Sequence, residues 1–87
     1  MKIKDGFILR EVAGNYIVVA VGEAVKSFNG VINLNETGAF LWTFFSEEHT
    51  IDEGVAALLA EYEVEEDVAR TDVENFTQTA LKNGFAD

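Results

Sequence analysis

The chain contains no cysteine and no proline. Without cysteine, disulfide staples, thiolate metal centres and thiol nucleophiles are excluded, and the composition fits a reducing compartment. Without proline, turns must be built from Gly, Asn and Asp. Long apolar runs are missing too. The longest, residues 16–21, falls far short of the roughly 20 residues that a membrane-spanning helix needs, and no basic-then-apolar leader precedes it. The expected location is therefore the cytoplasm.

Positive charge is also scarce, with 6 Lys and Arg against 16 Asp and Glu for a net charge of −10. The deficit is uneven. Residues 1–35 hold three acids and four bases, whereas residues 36–87 hold thirteen acids against Arg70 and Lys82. Nucleic-acid affinity comes largely from Lys and Arg releasing counterions, so DNA, RNA and anionic membranes are disfavoured as partners. Against these shortages stands an apolar content of 48%, including seven Phe and one Trp, which is the composition of a globular chain. At 87 residues one domain is expected over residues 1–87, with a modest core.

Hydrophobic periodicity changes near Leu34. Before it, residues 7–12 and 16–21 are β-branched and aromatic runs separated by Ala13-Gly14-Asn15, the pattern of a hairpin. The near-continuous apolar run of residues 16–21 predicts a central strand, ended by Gly22. Residues 23–30 read as a longer connection, and Val31-Ile32-Asn33-Leu34 as a short third strand running directly into helix. Asn35 suits the N-cap of a first helix containing Ala39, Leu41, Trp42 and Phe45 and ending near Ser46. Thr50-Ile51-Asp52-Glu53 has capping-box spacing, followed by a stripe of Ile51, Val55, Leu58, Leu59 and Tyr62. The acids Glu65, Glu66 and Asp67 favour the start of a third helix with core stripe Ala69, Val73, Phe76 and Ala80, ending at Lys82-Asn83-Gly84. The expected class is α+β: a three-stranded antiparallel sheet followed by three helices, in the order β-β-β-α-α-α.

Candidates for catalysis are few. His49, the one histidine, lies in an interhelical loop beside Glu47 and Glu48 without the partners that a ligand or base requires, and reads as an exposed polar residue. Ser27 and Ser46 lie in no nucleophile-elbow pattern. The acids at 61, 63 and 65–67 lack calcium-loop spacing and read as a solvated helix start. The seven glycines form neither GxGxxG nor a phosphate loop. Gly38 and Gly54 fall inside helices, which suggests close packing. Trp42, beside Leu41, Phe44 and Phe45, reads as core. No catalytic residue, metal site or cofactor is therefore expected, and the chain reads as a binding module. An open sheet edge offers unpaired backbone groups to an added strand, and Val31 to Leu34 is the candidate edge.

Leu34-Asn35-Glu36-Thr37-Gly38-Ala39 leading into Leu41-Trp42, then Thr50, Val55 and Leu58, Tyr62-x-Val64, Asp72-Val73-x-x-Phe76 and Leu81-x-x-Gly84-Phe85 closely resembles PqqD-like proteins. These are peptide-binding domains also called RiPP recognition elements, and the resemblance covers nearly the whole chain. It implies a winged-helix-like fold. It implies a non-catalytic role as well: the leader of a ribosomally synthesised precursor peptide adds as a strand to the third strand, beside the third helix, and is presented to a modifying enzyme such as a radical SAM protein. Carried onto this sequence, the strand wall is Val31, Ile32, Asn33 and Leu34. For the helical wall we select Val68, Thr71, Asp72 and Asn75. The acidic half of the chain would further favour a leader carrying Lys or Arg. Two other readings share the topology. One is a winged-helix DNA binder, opposed by the acidic second and third helices; the other is a structural module that dimerises by edge pairing or by exchange of the first hairpin.

Overall fold

The computed structural model describes residues 1–26 and 30–86. Strands β1 (Phe7–Val12), β2 (Asn15–Ala20) and β3 (Val31–Leu34) form an antiparallel sheet in the order β1-β2-β3, followed by helices α1 (Glu36–Phe44), α2 (Ile51–Glu61) and α3 (Glu66–Lys82). This is the α+β, winged-helix-like architecture expected from the sequence. The β1–β2 turn is two residues long, with Ala13 at φ 53° and Gly14 at φ 81°. Two consecutive left-handed residues match the right-handed twist of a tight hairpin, so Asn15 belongs to β2 and not to the turn. Between β2 and β3 a 3₁₀ segment spans Gly22–Lys26, where a plain connection was expected. Ser27, Phe28, Asn29 and Asp87 lie outside the described residues, so the part of that connection between Lys26 and Gly30, Ser27 with it, does too.

The sheet has one face on the helices and one in water. Leu9, Val18 and Ile32 share a row across the three strands and turn inward, while Ile8, Val19 and Val31 occupy the neighbouring row on the outer face. Val18 is fully buried and Val31 is 57% exposed, which fixes the register, because a one-residue slip would exchange the two rows. The core lies between sheet and helices around Phe45, Leu41, Leu58, Val18 and Val73. Trp42 is buried, with edge-to-face contacts to Phe7, Phe76 and Phe85 at centroid separations of 6.4, 6.5 and 5.5 Å.

Helix termini follow the local sequence closely. The Thr50 hydroxyl accepts from the Glu53 N–H at 3.1 Å while the Glu53 carboxylate accepts from the Thr50 N–H at 2.8 Å, completing the capping box. That bond to the Thr50 backbone is the main reason the Glu53 carboxyl is held below its usual range, with His49 adding to the effect. Gly84, at φ 77°, ends α3 as a glycine past the cap. Within α2, Val55 and Leu58 are buried, but Ile51 and Leu59 stand exposed at 38% and 37%. Gly54 takes part of the packing face instead: a Cβ there would lie 2.8 Å from Cζ of Phe45.

The two ends of the chain also meet. The Ile3 N–H donates to the Phe45 carbonyl at 2.8 Å and the Lys4 N–H to the Phe85 carbonyl at 2.7 Å, and Ile3 bridges Ala86. Both Ile3 and Ala86 are buried. His49 is half-buried, not exposed as expected, because its ring stacks on Phe44 at 4.0 Å and its carbonyl accepts from the Met1 amino group at 2.6 Å. Among the described residues no helix is long and apolar enough to cross a membrane.

Candidate functional site

β3 is bonded to β2 on one side and, among the described residues, borders no further strand on the other. In an antiparallel ladder alternate residues direct both N–H and C=O toward the same neighbour, so a four-residue strand leaves about two donors and two acceptors pointing outward. Among the described residues, Val31 to Leu34 make no main-chain bond beyond their pairing with β2. β1 forms the other sheet margin, and β3 is the margin that opens onto a groove walled by α3 along four residues of that helix.

That groove encloses about 380 Å³. One wall is Asn33 and Leu34 at the end of β3, the floor is Asn35, Thr37, Gly38 and Leu41 of the strand-to-helix corner, and the other wall is Asp72, Asn75, Phe76 and Thr79 of α3. The corner is held by short-range chemistry. The Asn35 side chain accepts from the Gly38 N–H at 2.8 Å and from the Thr37 hydroxyl at 3.2 Å, capping α1 immediately after the strand. Gly38 allows the first turn of α1 to press against the strand, since a Cβ there would meet Asn35 Oδ1 at 3.0 Å and Leu34 Cβ at 3.4 Å. Leu34, Leu41 and Phe76 give the interior its apolar surface, Asn33, Asn35, Thr37, Asn75 and Thr79 add polar surface of similar extent, and Asp72 supplies the one formal charge among the lining residues.

Of the residues named from sequence, Asn33, Leu34, Asp72 and Asn75 converge on this groove. Ile32 is half-buried against the core, and the side chain of Val31 lies on the outer face of the sheet. Val68 and Thr71 are exposed and do not line the groove. The helical wall is the selected stripe moved one turn toward the C-terminus, from 68, 71, 72 and 75 to 72, 75, 76 and 79. Phe76 was placed in the core from its period alone; it is half-buried and serves both the core and the groove. Thr37, Gly38 and Thr79 were not anticipated, although the i, i+3, i+4, i+7 spacing from Asp72 contained Thr79.

The groove holds no pairing of nucleophile with base, and among the described residues no three metal-ligating side chains cluster. Its chemistry is that of main-chain hydrogen bonding beside a trough that offers both apolar surface and amide and hydroxyl groups. Comparison with known proteins agrees with the geometry. Over residues 10–86 the sequence matches the family model of Coenzyme PQQ synthesis protein D (PqqD). The chain belongs to the PqqD family. A solved structure described as "TbiB1 in Complex with the TbiA(beta) Leader Peptide" superposes on this PqqD-family chain with a TM-score of 0.74, covering 98% of this chain and 93% of the other at 20% identity. At that identity the likeness concerns the fold. No protein of curated function matches the sequence.

Proposed function

We propose that this PqqD-family chain acts as a single peptide-binding domain without catalysis of its own. It takes up the leader segment of a ribosomally synthesised precursor peptide as a fourth strand along β3, and holds it for a modifying enzyme, for which a radical SAM protein is the leading candidate. The observation carrying this reading is the continuity of an unpaired strand edge with a groove of mixed apolar and polar lining walled by α3. Strand addition gives sequence-independent affinity through main-chain bonds, and alternate side chains of the guest enter the groove and give specificity. Membership of the PqqD family and the leader-bound state of TbiB1 support the same reading.

The energetics suit a carrier that must release its cargo. Four main-chain bonds at about 1 kcal/mol each and two buried leader side chains at roughly 1.5–3 kcal/mol each give ~7–10 kcal/mol before association costs. Those costs are several kcal/mol, which sets the affinity at about micromolar or weaker unless the groove is well preorganised. Asp72 in the wall disfavours a phosphate-bearing ligand and favours a leader carrying Lys or Arg, so raised salt should weaken binding of a basic leader.

The test uses a leader peptide encoded beside this gene, titrated while backbone amide resonances are followed. Shifts are expected at Val31 to Leu34 and from Asp72 to Thr79. The exposed Asn75, changed to Trp, should fill the groove and weaken binding at least about tenfold without unfolding the chain, whereas the same change at the exposed Gln78, outside the groove, should not. Shifts confined to the β1–β2 hairpin would show that the site lies elsewhere.

A further inference from the structure

A second cavity, of about 360 Å³, lies on the other flank of α1. Tyr16 of β2, Phe40 of α1 and Tyr62 at the end of α2 contribute three aromatic side chains to it, Leu9 and Ala39 add apolar surface, and Glu36 supplies a carboxylate. Phe40 and Tyr62 meet edge to face, with centroids 5.7 Å apart and planes at 87°. No Lys, Arg or His lines the cavity. The leader-binding reading does not use Glu36 or Tyr62, and the first turns of α1 separate the two cavities: Thr37, Gly38 and Leu41 face the groove, while Glu36, Ala39 and Phe40 face this socket.

Aromatic faces and a carboxylate together form the environment that a desolvated cation prefers, because ring quadrupoles and formal charge act in the same sense. An apolar guest would instead cover Glu36 without giving it a partner, a burial that is unfavourable. The phenol of Tyr62 already registers this field: burial raises its pKa, and the negative charge of Glu36 raises it further. The surrounding sequence adds Glu61 and Glu63, and the whole chain carries −10, so a basic partner would be steered toward it.

We propose that this socket receives a lysine or arginine side chain projected by a partner protein that docks against α1 and the end of α2, leaving the β3 edge free for its guest. The interaction does not depend on the leader-binding reading, because the two sites share no lining residue.

The experiment titrates the full chain with Nα-acetyl-lysine methylamide and, separately, with its neutral isostere Nα-acetyl-norleucine methylamide, following the ring resonances of Tyr16, Phe40 and Tyr62 and the amides of Glu36 and β3. The cationic probe should shift the rings saturably with a Kd of about millimolar, and the neutral probe should bind roughly fivefold or more weakly. Glu36→Gln should reduce binding of the cationic probe by a similar factor, Tyr62→Phe should retain most of it, and the β3 amides should stay unmoved throughout. An equal response to both probes would make the socket merely apolar. Absence of saturable ring shifts, or undiminished binding by Glu36→Gln accompanied only by lower thermal stability, would leave Glu36 and Tyr62 with a part in internal stability alone. Either result overturns the proposal.

Discussion

Replacing Gly54 by Ala should destabilise the protein, although the same change in the middle of an ordinary helix stabilises it. A Cβ at this position would stand 2.8 Å from Cζ and 3.2 Å from Cε2 of Phe45, and 3.2 Å from Cγ1 of Val73. Phe45 is fully buried at the end of α1 and Val73 fully buried in α3, so neither can swing into solvent to make room. Overpacking against two side chains that cannot move aside lies in the upper part of the usual range, about 2–3 kcal/mol. The gain in helix propensity returns up to about 1 kcal/mol, leaving a net loss of roughly 1–2 kcal/mol. For a chain of this size that is a fall in Tm of roughly 4–16 °C. Circular dichroism melts and urea titrations measure it, and the midpoint should move without a change in m. Phe45→Leu, though destabilising itself, removes the ring atoms that the new methyl meets, so the penalty for Gly54→Ala should shrink in that background by at least about 0.5 kcal/mol. A Gly54→Ala protein as stable as the parent, or a penalty indifferent to Phe45→Leu, would refute the account of how α1, α2 and α3 converge.

Two further outcomes follow from the same coordinates. Thr50→Ala removes one half of the capping box and should lower stability by about 1 kcal/mol, read as a fall in Tm of roughly 4–8 °C, whereas Thr71→Ala on the exposed face of α3 should cause no loss. In alkaline spectrophotometric titration Tyr62 should ionise above the usual tyrosine value of about 10, since burial and then Glu36 favour its neutral form, and Glu36→Gln should bring that ionisation down. Because the folded value is raised, the contribution of Tyr62 to stability is complete below about pH 10 and is lost as pH rises through the folded value.

The junction of β3 with α1 was legible because its determinants are local. A four-residue strand that opens on the β-branched pair Val31-Ile32, an Asn that caps and a Gly that permits close approach follow one another in sequence, and each has a single physical use. The capping box of α2 was legible for the same reason. What escaped was set by distant parts of the chain. The 3₁₀ segment at Gly22–Lys26 is too short for its period to register. Ile3 is apolar but isolated, and it is held in the core through its bond to Phe45 and its bridge to Ala86, both more than forty positions away. Val68 and Thr71 fall outside the groove because the turn of α3 that passes β3 is decided by packing at the far side of the helix, where Ala69, Val73 and Ala80 lock onto the core. Periodicity defines which faces a helix has; it does not say how far along the axis a neighbour crosses.

The sheet has two margins, and a margin that welcomes a foreign segment is equally open to another molecule of the same kind. Copies strung margin to margin would give an endless ribbon, and nothing in the hydrogen-bonding chemistry forbids it. The deterrent is mutual repulsion between bodies that each carry −10. Concentrated stocks in strong salt, where that repulsion is muted, are therefore the condition under which polymerisation should compete with capture of cargo.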